Sequence, residues 1–62
     1  MTNRKYLQAA LQGVESESIR AWASTPHNTA ILLKIAKGFI NHGEPVEKLT
    51  TFIVAKAIGL WD

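Results

Sequence analysis

Serine, histidine and carboxylate side chains all occur in this 62-residue chain, the ingredients of a nucleophile, base and acid relay. Their placement does not assemble one. Neither Ser16, Ser18 nor Ser24 follows a strand into a tight elbow, no glycine-rich loop could cradle a phosphate, and so short a chain leaves little room for a pocket enclosing a substrate. Cysteine is absent, which excludes disulfides and thiolate metal sites; His27 and His42 are too few and too far apart for a structural zinc. The expectation is a non-enzymatic protein without metal or cofactor. His27 falls in the first turn of an expected helix. His42 falls in its last turn, where a protonated ring would favour the negative end of the dipole.

The element that must position everything else is residues 26–43, PHNTAILLKIAKGFINHG. Thr25 is suited to cap its start, Pro26 at the first helical position gives up an amide that has no helical partner, and Gly43 is a natural left-handed stop. Ile31, Leu32, Ile35 and Phe39 centre its apolar face, and Leu33, Ala36 and Ile40 widen it beyond half the circumference. Lys34, Lys37 and Asn41 mark the wet side. Gly38 would allow close approach of another backbone.

Before this spine, Thr2 or Asn3 caps a helix whose stripe contains Leu7, Leu11 and Val14, with Ala10 beside it. Gly13 leaves two readings open. Tolerated, it lets one helix run over residues 3–24, with Ser18, Ala21 and Trp22 continuing the stripe; as a break, it frees Ile19 and Trp22 to form a new face on a separate helix. After the spine, Glu44-Pro45 opens a last helix over residues 45–59, with Glu44 and Glu47 at its positive end. Val46, Leu49, Phe52 and Ala55 share one stripe there, yet Ile53, Val54, Ile58, Leu60 and Trp61 fall elsewhere around the wheel. Such an all-round apolar helix is expected to be buried on more than one side. The β-branched run TTFIVA has strand character. No second strand is visible to pair with it, so helix is preferred.

The expected fold is therefore one all-α domain over residues 1–62, with three helices near 3–24, 26–42 and 45–59, or four with a break at Gly13. At this length only about 60% of the unfolded surface is buried, and small scaffolds need a staple. Without cysteine or metal, self-association is the natural one. An intertwined or side-by-side homodimer is expected, with Ile31, Leu32, Ile35, Phe39, Ile40, Leu49, Phe52 and Ile53 forming the core and dimer interface.

One stretch has motif character. Ala9, Gly13, Val14 and Ile19 fall at the spacing of small residue, glycine and apolar pair found in helix-turn-helix modules. The run AALQGVESESIRAW resembles those of MerR-like and excisionase-like regulators over about a quarter of the chain. That resemblance implies a dimeric DNA-binding regulator using residues 4–22, with Ser16, Glu17, Ser18 and Arg20 on the recognition helix. The chain departs from the pattern at Gln8 and Gln12, where buried apolar residues are usual, and Glu15 and Glu17 bring negative charge toward phosphate.

Seven Lys/Arg against five Asp/Glu give a net charge of +2, with the basic residues dispersed rather than massed as on a nucleic-acid footprint. Hydrophobic residues at 47% exclude disorder as the default. No apolar run is long enough for a membrane span, and MTNRKYLQ lacks the h-region of a signal peptide, so a cytoplasmic protein is expected. The leading expectation is a small regulatory protein of phage, plasmid or bacterial accessory style that binds and inhibits or adapts another protein. Its docking surface would be an apolar helix face rimmed by Lys34, Lys37, Arg20, Glu15 and Glu17, with Trp22, Trp61, Tyr6 and Arg20 as contact residues.

Overall fold

The computed structural model describes residues 2–61, and side chains through residue 60. All regular structure among these residues is helical: α1 (Asn3–Gln12), α2 (Glu17–Ser24), α3 (Pro26–Asn41) and α4 (Val46–Trp61). No helix is long and apolar enough to cross a membrane among the described residues. The TTFIVA run lies within α4, as its lack of a pairing strand required.

Residues 3–24 do not form one helix. Thr2 Oγ1 accepts the Lys5 amide at 3.1 Å to start α1, which buries Tyr6, Leu7 and Ala10. At the far end the Gly13 and Val14 amides donate to Ala10 and Leu11 at 3.1 and 3.0 Å, tightening the last turn. A new helix then begins from Ser16, whose Oγ accepts the Ile19 amide at 3.2 Å. The break rephases the chain: Ile19 and Ala23, four residues apart, are buried, whereas Ser18 and Ala21, on the stripe that favoured continuity, are exposed.

Thr25 joins α2 to α3, but its side chain does not cap α3 as expected. It turns back instead, donating to Trp22 O at 3.0 Å and accepting from Asn28 Nδ2 at 2.8 Å. Asn28 Nδ2 also donates to Trp22 O, Thr29 Oγ1 to Ala23 O, and Ser24 Oγ to Arg20 O. Carbonyls left open at the end of α2 are thus satisfied largely by the first turn of α3. Gly43, at φ +71°, closes α3: its amide reaches Ile40 O and that of Glu44 reaches Phe39 O, the paired bonds of a Schellman motif.

The helices pack in two layers, α1 and α2 each lying against both α3 and α4. Between the layers are Tyr6, Leu7, Ala10, Val14, Ile19, Ala23, Leu32, Ala36, Leu49, Ile53 and Ala57. Four of these are alanines, so the core is thin. Two side-chain bonds tie distant elements across it. The Tyr6 hydroxyl donates to Glu44 O at 2.7 Å and lies 3.0 Å from Pro45 O, anchoring α1 to the turn between α3 and α4. Thr50 Oγ1 donates to Ala10 O at 2.6 Å and links α4 to the end of α1.

Candidate interaction surface

Leu32, Leu49 and Ile53, three of the residues expected to form the core and dimer interface, are fully buried within the single chain. They serve the core. The rest of that group, Ile31, Ile35, Phe39, Ile40 and Phe52, lies at its margin: Ile31 is 37% exposed and the others are half-buried. The apolar surplus of α3 is narrower than its sequence suggests, because the α1 and α2 layer covers Leu32 and Ala36 completely and partly shields Leu33 and Ile40.

The remaining apolar surface has a definable shape. Ile31, Ile35 and Phe39 follow one another at intervals of one turn along α3, beside its buried Leu32 and Ala36. Phe52 occupies the corresponding edge of α4, and the two rings meet edge to face with centroids 5.9 Å apart. Phe39, Pro45, Glu47, Lys48, Thr51 and Phe52 line an open cleft of about 600 Å³ there. Farther along α4 the core stripe of Leu49, Ile53 and Ala57 is fully buried, but its next member, Leu60, is 61% exposed. Ile58 is 48% exposed on the same final stretch. In the sequence these two residues look like part of an all-round buried helix. Burial on several sides fails because the two α1–α2 helices shield only the inner stripe of α4.

The proposed contact residues fare differently. Tyr6, only 4% exposed and bonded to the α3–α4 turn, is a core anchor with no surface left to offer. Burial raises its hydroxyl pKa above the ordinary value near 10, and the nearby negative charges of Glu44 and Glu47 add to the effect. Trp22 is half-buried against the core, and the side chain of Trp61 lies outside the described residues. Arg20 Nη1 donates to Val14 O at 2.8 Å, staking α2 to the preceding turn. Arg20 also lines a shallow depression with Gln8, Leu11, Gln12 and Ser24.

Of the residues assigned to a recognition helix, Ser16 is engaged as an N-cap and Arg20 with Val14, leaving Glu17 and Ser18 exposed. Lys34 and Lys37 are exposed on α3, Arg20 is half-buried on α2, and Glu15 is exposed in the turn before α2. His27 and His42 are exposed at opposite ends of α3, about 20 Å apart by helical rise. No group of three His, Cys, Asp or Glu side chains placed to hold a metal occurs among the described residues. The comparisons identify no similar protein: no protein family, curated protein or solved structure matches the chain.

Proposed function

We propose that this chain is a cytoplasmic, non-enzymatic regulatory module that works as a homodimer and acts by binding another protein as inhibitor or adaptor. The observation that supports this most is the apolar surface left exposed around a core containing four alanines: Ile31 on α3, and Ile58 and Leu60 in the last turns of α4. A small chain with so little large apolar volume inside gains most from covering what remains outside. Aromatic Phe39 and Phe52, at the cleft, are the kind of side chain that anchors an interface.

A second reading is a dimeric helix-turn-helix DNA binder using residues 4–22. It draws on the break after Gln12 and on the burial of Val14 and Ile19 at the motif's apolar positions. Against it stand the prior engagement of Arg20 and the exposed Glu15 and Glu17. Phosphate neutralisation needs Lys/Arg at such a surface.

One experiment separates the two. Tagged wild-type chain, Ile31→Asp and Arg4→Asp are used to capture partners from host lysate with and without nuclease. The protein-binding reading expects a nuclease-resistant protein retained by wild type and Arg4→Asp and reduced at least about ten-fold on Ile31→Asp. Capture that vanishes with nuclease would reject it in favour of DNA; equal retention by all three would reject a dependence of partner binding on the α3–α4 margin.

A further inference from the structure

A groove opens between α1 and α2, which pack on α3 and α4 but make little contact with each other. Two depressions of about 500 and about 260 Å³ form it, and they are continuous, because Gln8, Leu11 and Ser24 line both. Arg4 stands at one end, where Leu33 of α3 contributes to the floor, and Arg20 stands with Gln12 at the other. By helical rise, Arg4 and Gln12 are about 12 Å apart along α1. Among the described residues no acidic side chain lines either depression. Glu17, exposed three residues before Arg20, lines neither and forms no ion pair with it. Arg20 is held in place, since its Nη1 donates to Val14 O at 2.8 Å, and that bond leaves the other N–H groups of its guanidinium fork pre-oriented.

Resting on the protein-binding reading above, we infer that the α1–α2 groove is a second docking site, which takes an acidic segment of a partner protein. Its carboxylates meet Arg4 and Arg20, and an apolar side chain between them lies on half-buried Leu11. Guanidinium groups are suited to carboxylates by charge and by their planar fork of donors. The side-chain amides of exposed Gln8 and Gln12 add uncharged donors along the same wall. A nucleic-acid backbone is the poorer match: it calls for a row of cations, whereas an apolar floor separates these two and Glu15 and Glu17 stand exposed within five residues of Arg20. With this site the chain is an adaptor, holding one protein in the groove and another through the exposed apolar surface of α3 and α4.

Selection from a phage-displayed library of random linear peptides on the immobilised wild-type chain supplies the probe. The enriched peptides are expected to carry acidic residues on either side of an apolar one. Fluorescence anisotropy with the most enriched peptide then compares wild type, Arg4→Gln, Gln8→Glu, Arg20→Gln and Ile31→Asp. Affinity is expected to fall at least about ten-fold in the three groove variants and to stay within about three-fold of wild type in Ile31→Asp. Arg20→Gln also loses the bond to Val14 O; if circular dichroism shows that it does not fold, the exposed positions Arg4 and Gln8 carry the comparison. No enrichment, or an acidic peptide that binds the groove variants as it binds wild type, overturns the groove site. Enrichment of apolar peptides that Ile31→Asp alone releases overturns the groove and leaves the protein-binding reading standing. A random-sequence DNA duplex that binds wild type more tightly than the selected peptide, and is lost in Arg4→Gln, overturns it in favour of nucleic acid.

Discussion

Tyr6 shows how one hydroxyl can hold a small fold together. Its oxygen is 2.7 Å from Glu44 O and 3.0 Å from Pro45 O, so α1 and the α3–α4 turn are fixed to one another through a single side chain. Tyr6→Phe keeps the ring and removes the donor; it should cost about 1–2 kcal/mol in urea unfolding, with native helix content retained. The same side chain sets an alkaline limit. Because folding raises its pKa, the protonated form is favoured in the native state. Its contribution is fully present below the unfolded value near 10 and is lost as pH rises through the higher folded value. Stability measured across that window should fall more steeply for wild type than for Tyr6→Phe, and parallel curves would deny Tyr6 the role. Nothing near Tyr6 in sequence announces this anchor. Its acceptor carbonyl is 38 residues away and is positioned only once Gly43 has turned the chain.

At the scale of elements, punctuation by local chemistry could be read directly, and contacts between layers could not. Pro26 and Gly43 bound α3 as their backbone preferences require, since both act within a few residues of where they stand. Gly13 could not be decided in the same way. Its φ of −82° is open to any residue, so no left-handed turn demands glycine there. The demand comes from α4: a Cβ at Gly13 would lie 3.1 Å from both Thr50 Cγ2 and Oγ1. That Thr50 hydroxyl is also the donor to Ala10 O. Gly13→Ala should therefore destabilise by about 1–2 kcal/mol despite the better helix propensity of alanine, through the displaced Thr50 and its hydrogen bond. Thermal unfolding of Gly13→Ala beside Gly13→Ala/Thr50→Ser, which removes the crowding methyl, measures this. Partial recovery in the double variant is expected, because the hydroxyl oxygen at the same 3.1 Å remains, and a stabilised single variant would refute the close approach. Ile19 and Ala23 follow the same logic. Their face exists because the chain restarts at Ser16, a consequence of packing that hydrophobic phase along residues 7–22 does not contain.

For the whole molecule, the all-helical class follows from periodicity and breakers, whereas the division between core and surface depends on which layer meets which. Leu32, Leu49 and Ile53 belong with Ile31 and Phe52 by composition; only the seating of α1 and α2 on the inner stripes of α3 and α4 separates them into buried and marginal groups. Among the described residues the core has just four large side chains completely hidden, Leu32, Leu49, Ile53 and Val14, in a chain that must order four helices. Conformational entropy grows with every ordered residue, while hydrophobic stabilisation grows only with apolar area removed from water. A second copy on the α3–α4 margin would add area without adding chain, and would make folding depend on concentration. If folding and dimerisation are coupled in this way, each ten-fold increase in protein should raise the thermal midpoint by about 3–5 °C, because roughly 0.7 kcal/mol per protomer is gained and a chain of this size is sensitive to such amounts. Ile31→Asp, which places a charge on the margin without entering the core, should flatten that dependence. A midpoint independent of concentration in the wild type would mean that the thin core holds the fold alone.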